Sequence, residues 1–367
     1  MQKFLLIFFL FIIPAPVVCL EYLSLTSQTN RYISLLLGRG HLQSLNNCVS
    51  PYKISDIKMA MENQKKEELL PAEKQWFQII KKDLSRKNEK NSDFKFLAGL
   101  EAQTGLENST FKGNYDLKAG TGFCLKNLSG FTGARFQNDY RKEPSHYYPW
   151  KRDRITAGRI DQAYMTLNIK HADFFVGRID RNWGPIPGNS LFLSPNHFSF
   201  DHAGLEIFYG RFTLNQVSAR LDNGAMRFSP DPENPDPANR FFSAHRLDII
   251  IKPNIRVGLC ETIVYGGNGR LPELRYLNPF GIYLFSQINT ESSGNCIIGL
   301  DFHITRIKNF NFYGQLAIDD FQVDNEAAID QEPPIYGFFL GLDNLYGNFK
   351  ITIFHKHLSD YLYNVQQ

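Results

Sequence analysis

The sequence has few cysteines, almost no net charge and no long hydrophobic run in its mature part. Its 5 cysteines lie far apart with no C-x-x-C spacing, so they predict neither a zinc site nor a redox motif. Lys and Arg (40) nearly balance Asp and Glu (37), and a formal net charge of +3 gives no support for nucleic-acid binding. After residue 19 no stretch approaches about 18 continuous apolar residues, so no membrane-spanning helix is predicted.

Catalytic and metal-binding motifs are missing as well. The sequence holds no G-x-S-x-G, H-E-x-x-H or Walker loop. Asp201 and His202 are adjacent, but adjacent residues of a strand point to opposite faces and do not converge on one substrate atom. His355 and His357 share a strand face without a third ligand. We therefore expect a protein that is not an enzyme and that holds no metal and no cofactor.

Residues 1–19 read as a secretory signal. Lys3 is followed by ten apolar residues and then by Pro14 and Pro16, which break the helix before a cleavage site. The apolar stretch is shorter than the roughly 20 residues that a membrane span needs. An uncleaved anchor, or a lipid attached at Cys19, are the alternatives.

Residues 20–92 carry helical patterns. Asn30 is expected to cap a first helix that Gly38 ends, and Ser55 or Asp56 to cap a second. Short helices are marginal alone, so this segment is expected to pack against or inside the rest of the chain.

A third helix is predicted from Pro71, which suits a first helical turn. Its shared apolar face is predicted to consist of Trp76, Ile79, Ile80 and Leu84.

From residue 93 to residue 367 the hydrophobic period becomes two. In residues 295–305 the even positions from Cys296 to Ile304 are apolar, whereas Asp301 and His303 are polar. Strands of about ten residues with one apolar face are typical of an outer-membrane β-barrel, which must close on itself in lipid. We predict about a dozen to fourteen antiparallel strands. A hairpin turn is expected near Asp343-Asn344. A soluble β-sandwich is the alternative.

Residues 141–154 (RKEPSHYYPWKRDR) combine aromatic rings with cations. Flat rings beside hydrogen-bond donors suit sugars, and cations suit acidic ones, so this segment is a candidate glycan-binding loop. Its candidate contact residues are Tyr147, Tyr148, Trp150, Arg152 and Arg154. The alternative is an aromatic girdle at the membrane interface.

Residues 177–196 (GRIDRNWGPIPGNSLFLSPN) form a turn rich in Gly and Pro that contains Arg181 and Trp183. This stretch resembles the R-x-W-G-P-G…S-L-L-S-N pattern of the capsule-assembly (Wzi-type) outer-membrane β-barrel proteins, with Ile186-Pro187 inserted. Three further parts of that family are resembled in the same order: by residues 31–42 with 51–84, by residues 244–248 with Glu261 and residues 276–280, and by residues 295–322.

The resemblance implies an outer-membrane barrel whose periplasmic side is sealed by a helical bundle. It also implies that the protein binds or organises surface polysaccharide without catalysis, with polysaccharide and outer-membrane lipid as partners. Arg181 and Trp183 are further candidate glycan contacts, and a structural turn packed in the lumen or rim is their alternative. A transport channel and a soluble periplasmic glycan-binding protein are the rival functions.

The chain ends in Gln367, whereas outer-membrane barrels tend to end in an aromatic residue. Barrels of this family also have more strands than residues 93–367 readily supply. We therefore expect the barrel to be incomplete at the C-terminal end of this sequence.

Overall fold

The computed structural model describes residues 21–25, 27–87, 95–107, 110–137, 157–186, 189–195, 199–221, 239–267, 269–289, 294–307, 310–320, 335–346, 349–360 and 362–363. The α-helices are α1 (Gln28–Gly38), α2 (Ile54–Glu62), α3 (Pro71–Lys87), α4 (Leu274–Leu277) and α5 (Tyr283–Ile288). The strands are β1 (Val49–Ser50), β2 (Lys95–Glu107), β3 (Thr110–Leu125), β4 (Leu128–Gln137), β5 (Ala157–Ile169), β6 (Ala172–Ile179), β7 (Asn182–Trp183), β8 (Phe200–Tyr209), β9 (Phe212–Leu221), β10 (Asn239–Lys252), β11 (Ile255–Gly267), β12 (Gly294–Ile307), β13 (Phe310–Asp320), β14 (Ile335–Tyr346) and β15 (Phe349–Leu358).

The first two helices begin earlier than their predicted caps. Ser27, not Asn30, caps α1, because the Ser27 hydroxyl accepts a hydrogen bond from the backbone N–H of Asn30 at 3.1 Å. Lys53 occupies the N-cap position of α2, so Ser55 and Asp56 lie inside the first turn and cap nothing. The Asp56 carboxylate still suits that turn, since it faces the positive end of the helix dipole.

The buried face of α3 also differs from the predicted one. Phe77, Ile80 and Leu84 are buried, with spacings of three and four that place them on one side of the helix. Ile79 lies on the other side and is 42% exposed, so its assignment to the packed face was wrong.

Thirteen antiparallel strands form one sheet, in the order β15-β14-β13-β12-β11-β10-β9-β8-β6-β5-β4-β3-β2. Two-residue turns at residues 126–127, 170–171, 210–211 and 253–254 lie at one end of the strands, called here the short-turn end. The connections at the opposite, long-loop end are longer, except for residues 108–109 between β2 and β3. Among the described residues, β2 and β15 are the two edges of the sheet. The hairpin expected near Asp343-Asn344 is formed by β14 and β15, but its turn comes later, because both residues lie inside β14, which ends at Tyr346.

The sheet is apolar outside and polar inside. The exposed outward side chains include Met165, Leu167, Phe174, Val176, Leu259, Leu300, Phe312 and Leu340. The buried inward ones include Thr166, Asn215, Arg246, Asp248, Asp301, His303, Asn311 and Gln315. This pattern is that of a wall with lipid on one side, and it is the reverse of a soluble sandwich. The predicted outer-membrane β-barrel fold with a short helical N-terminal segment is confirmed.

The sheet curves around the N-terminal segment of residues 21–87. Tyr22 packs on Tyr164 and Phe175 of β5 and β6, at a ring distance of 5.5 Å and 6.0 Å respectively. The same segment contacts β13, where the Asn311 amide donates to the carbonyl oxygen of Gly38. Contacts with strands so far apart in the sheet require the wall to wrap around the segment. None of the described helices is long and apolar enough to cross a membrane.

Candidate functional site

A buried ion cluster joins the N-terminal segment to the wall. Lys53 extends from the start of α2 and pairs with Asp173 of β6, and its ammonium also donates to Glu206 of β8 at 2.8 Å. Burial by itself lowers the pKa of Lys53, but the facing Glu206, Tyr22 and Asp173 outweigh it and hold that pKa above its usual value. The lysine is therefore charged, and it fixes α2 against the inner wall.

Hydrogen bonds repeat this attachment around the interior. The Glu21 carboxylate accepts from the Asn168 amide at 3.2 Å and from the Ser129 hydroxyl at 3.3 Å. On the other side, Arg256 donates to the carbonyl oxygen of Gln43, and Asn47 bonds to His303. These wall residues lie near the short-turn end, so the N-terminal segment fills the interior at that end.

The connection between β6 and β8 turns inward and fills the interior higher up. Its strand β7 pairs with β1 of the N-terminal segment. The N–H of Gly184 donates to the carbonyl oxygen of Cys48 at 2.8 Å. A Cβ at position 184 would lie 3.1 Å from the Gln315 amide and 3.2 Å from Ser190, which explains the glycine at this close approach.

Gln315 of β13 holds this inward connection. Its Oε1 accepts from the N–H of Leu191 at 2.6 Å, and its Nε2 donates to the carbonyl oxygen of Trp183 at 2.8 Å. Gln315 Nε2 also lies 3.3 Å from Asp301. Both sides of the loop are thus fixed by one side chain of the wall.

Behind Gln315 lies a buried arginine with two carboxylate partners. Arg246 of β10 is fully buried and donates to both oxygens of Asp248 at 2.9 Å and to Asp301 at 2.9 Å. A Cβ at Gly258 would lie 2.2 Å from the guanidinium, so the neighbouring strand leaves room for it only because it carries a glycine. The ions are paired and hydrogen-bonded, which is the condition for burying charge.

Trp183 lies inside this packed interior. It is 1% exposed and packs with Leu193, Val217, Ala244 and Cys260. Its indole N–H has no acceptor among the described residues. A ring covered on both faces by protein offers no stacking surface to a sugar, so this structure gives Trp183 a packing role.

Arg181 is buried beside the wall. Its Nε donates to Nε2 of His202 at 2.8 Å, and its guanidinium lies 4.6 Å from the ring centre of Phe175. Because His202 Nδ1 in turn faces the carbonyl oxygen of Phe200 at 2.9 Å, the ring holds its proton on Nδ1. Arg181 thus stabilises the base of the inward loop. The burial of Arg181 and Trp183 fits the alternative given for them above, a structural turn packed in the lumen.

The other candidate contact residues lie outside the described residues. Tyr147, Tyr148, Trp150, Arg152 and Arg154 belong to residues 138–156, which connect the end of β4 to the start of β5. Both of those strand ends belong to the long-loop end, opposite the N-terminal segment.

Residues considered for chemistry do not assemble into a site. Asp201 pairs with Arg178 at 2.5 Å, whereas His202 faces Arg181, so the two neighbours serve different contacts. His355 and His357 lie against Phe338 at ring distances of 5.7 Å. Among the described residues no group of three His, Cys, Asp or Glu side chains could hold a metal ion.

Sequence reasoning did not single out Lys53, Gln315 and Arg246, which organise the interior. Period-two alternation does place Gln315 and Arg246 on the polar face of their strands, which is a usable signal. Arg246 also pairs with Asp301, 55 residues away, and Gln315 bonds to Trp183, 132 residues away, and alternation carries no information about such distant pairs. Lys53 precedes a helix and has no periodic signal at all.

Comparison with known proteins gives a family match. The sequence model of the family described as "Capsule assembly protein Wzi" matches residues 90–347. No curated protein sequence matches the chain.

Three solved structures are among those that match the chain. Wzi of Escherichia coli, described as an outer-membrane, carbohydrate-binding β-barrel involved in group 1 capsule assembly, shares 15% identity and a TM-score of 0.57, over 91% of this chain and 68% of that one. OmpT of Vibrio cholerae shares 8% identity and a TM-score of 0.33, over 73% and 88% of the two chains. OprB of Pseudomonas putida shares 11% identity and a TM-score of 0.33, over 73% and 77%.

Proposed function

We propose that this chain, which belongs to the capsule assembly protein Wzi family, binds or organises surface polysaccharide in the outer membrane without catalysing a reaction. Wzi of Escherichia coli is described as carbohydrate-binding and as involved in capsule assembly. The same activity is proposed here for a chain that shares its fold.

The observation that carries the proposal is the filled interior. Residues 21–87 occupy the short-turn end, and the β6–β8 connection occupies the space above them. A diffusion channel needs a water-filled lumen, so this arrangement favours binding over transport. Polysaccharide is then left with the surface at the long-loop end.

Residues 138–156 are proposed as the main glycan contact. Tyr147, Tyr148 and Trp150 would stack on sugar rings, and Arg152 and Arg154 would attract acidic ones. Arg181 and Trp183 are proposed to support the loops from below rather than to touch the glycan, since both are buried.

The chain is proposed to divide at the boundaries expected from the sequence. Residues 1–19 would be a signal peptide, residues 20–92 the helical segment on the periplasmic side, and residues 93–367 the barrel. Short turns face the periplasm in outer-membrane barrels, which supports this orientation.

The test is equilibrium binding of purified capsular polysaccharide to the full chain in detergent micelles. Stacking contributes on the order of 1 kcal/mol per ring, so Tyr148→Ala combined with Trp150→Ala is expected to weaken binding by about tenfold or more. Arg152→Gln combined with Arg154→Gln is expected to weaken it chiefly at low salt, because exposed charges are screened.

The matched control is Tyr209→Ala. Tyr209 is a highly exposed tyrosine at the short-turn end, and its loss is expected to leave binding unchanged. If the wild type and the double aromatic variant bind polysaccharide equally well, residues 138–156 form an aromatic girdle at the membrane interface and do not bind glycan. Steady single-channel conductance by the wild type would favour the transport alternative.

A further inference from the structure

Three polar side chains lie on the outer wall of the barrel, where lipid is expected. Gln216, His245 and Glu261 are direct neighbours across β9, β10 and β11. Each is one residue away from an inward side chain; Glu261, for example, follows Cys260, which packs with Trp183. Because strand side chains alternate, these three point outward. They are called here the outer-wall row.

The outer-wall row stands directly above a row of leucines. Two residues nearer the short-turn end, Leu214, Leu247, Leu259 and Leu300 are neighbours across four strands. Glu261 is six residues from the start of β11, which is about 20 Å along the strand. With a tilt of about 40°, the row lies about 15 Å above the lower rim, inside an apolar band that is about 25 Å tall.

The connection of residues 269–289 folds down over this row from outside. It is called here the hairpin segment, and it contains α4 and α5. Gln216 donates to the carbonyl oxygen of Leu277 at 2.5 Å. Glu261 accepts from the N–H groups of Tyr283 and Leu284 at 2.8 Å and 2.7 Å.

The remaining contacts complete the attachment. His245 lies 3.0 Å from Glu261 and its ring is 4.3 Å from that of Tyr283. Tyr276 and Tyr283 are fully buried against Phe241, Tyr265, Ile263 and Cys296 of the wall. The outer-wall row is therefore polar because it binds the backbone of the hairpin segment. Nδ1 of His245 is buried and has no hydrogen-bond partner among the described residues.

The opposite surface of the hairpin segment is apolar. Its exposed large apolar side chains are Leu271, Leu274, Leu277, Phe280, Ile282, Phe285 and Ile288, of which Leu274 is 82% and Phe280 75% exposed, and its exposed polar side chains are Arg275, Asn278 and Asn289. Residues 276–288 contain no charged residue. The charges of the segment lie near its start at the rim, where Glu273 pairs with Arg270 at 2.6 Å and with Arg275 at 2.8 Å.

We propose that the hairpin segment is a lipid-contacting element, whose exposed face takes the acyl chains of the surrounding outer leaflet. Its apolar face is continuous with the leucine row below it, so one apolar surface runs from strand to hairpin segment. Its ion pairs remain at headgroup level, as in helices that lie in a membrane interface. This surface is separate from glycan binding, and it requires only that the barrel reside in a membrane.

The test is fluorescence quenching of Phe280→Trp, and separately of Phe285→Trp, in phosphatidylcholine vesicles with brominated acyl chains. The emission of the native protein, with its three Trp, is subtracted. Brominated lipid is expected to reduce the added emission by about half or more, and aqueous iodide to leave it nearly unchanged. Phe174→Trp on the lipid-facing side of β6 is the positive control, and Met59→Trp on the exposed side of α2 is the negative one.

Quenching by iodide and not by brominated lipid would show that the surface faces water or a soluble partner, and would overturn the proposal. If neither quencher acts, the surface is covered by protein. If Phe280→Asp then also lowers the molecular mass of the particle to that of a single chain, the surface binds a second copy of the chain, and the proposal is overturned. Either aromatic position suffices if the other variant does not fold.

Discussion

Lys53 is the residue whose loss should act most directly on the N-terminal segment. Lys53→Met leaves Asp173 buried without its partner, which costs about 3–5 kcal/mol in comparable ion pairs. The segment should then open more often. The thiol of Cys48, buried in that segment, is expected to react with a maleimide about a hundredfold faster or more, since each 1.4 kcal/mol is about tenfold.

Two further variants separate the ion pair from general effects. Lys65→Met removes a lysine that is mostly exposed, and it should leave the Cys48 rate nearly unchanged. Lys53→Met combined with Asp173→Asn should restore part of the protection, because no unpaired carboxylate remains. An unchanged rate in the single variant would mean that Lys53 does not hold the segment.

Asp180 should make the stability of the barrel depend on pH. Burial and the neighbouring Asp161 raise its pKa from 3.8 to about 6, against the weaker pull of Arg159 and Arg135. A raised pKa means that the folded state holds the proton more tightly. The contribution of Asp180 to stability is therefore greatest below about pH 4, and it is lost as the pH rises through about 6.

Asp180→Asn removes that loss, so the variant is expected to be more stable than the wild type by about 1–2 kcal/mol at pH 7.5 and equal to it at pH 4. Urea unfolding in micelles at the two pH values measures the difference. Asp201→Asn is the control, because its carboxylate is exposed and its effect should stay below about 1 kcal/mol. A gain for Asp180→Asn that is the same at both pH values would contradict the assignment.

At the residue scale, the sequence predicts that a segment forms a turn better than it predicts where in the fold that turn lies. The Gly/Pro-rich turn around Trp183 was recognised, and its lumenal alternative agrees with the observed burial. Its inward direction depends on Gln315, 132 residues further along the chain. No local sequence pattern indicates a contact between residues so far apart in the chain.

At the scale of elements, Glu261 should decide whether the hairpin segment stays attached. Glu261→Ala removes the acceptor of two backbone N–H groups, and bonds to a charged acceptor contribute about 1.5–3 kcal/mol each. The segment should then leave the wall more often and expose Cys296 beneath it. In micelles, labelling of Cys296 by N-ethylmaleimide is expected to speed up about tenfold or more.

Leu259→Ala is the matched control for that measurement. It lies two residues away on the same outward face of β11, in the leucine row below the hairpin segment. Its labelling rate at Cys296 should equal that of the wild type. If the two variants behave alike, the bonds of Glu261 do not hold the segment.

Strands were the best-predicted elements and the hairpin segment the least. Alternation placed Asp301 and His303 opposite Leu300 and Phe302 correctly, because a wall between lipid and a polar interior imposes period two. The helices of the hairpin segment have 4 and 6 residues, too few to show a helical period. The turn was misplaced at Asp343-Asn344 for a different reason. Asp343 is an inward residue whose carboxylate accepts a hydrogen bond from the Tyr313 hydroxyl at 3.2 Å. In the sequence, a polar residue that faces the lumen looks the same as a polar residue of a turn.

At the scale of the whole molecule, the described parts act as one wall with three additions. The N-terminal segment and the β6–β8 connection fill the interior, and the hairpin segment covers part of the outer surface. The long-loop end is the surface proposed for contact with polysaccharide. The molecule is thus proposed to divide three tasks among three surfaces: interior packing, lipid contact and glycan binding.

Polysaccharide retention on cells that carry the wild-type or variant chain tests the central claim most directly. Tyr148→Ala combined with Trp150→Ala is expected to cut retained surface polysaccharide several-fold, while the amount of folded barrel in the outer membrane stays the same. Tyr209→Ala, at the opposite end, should retain the wild-type amount. Normal retention by the double variant, at equal barrel yield, would contradict glycan binding through residues 138–156.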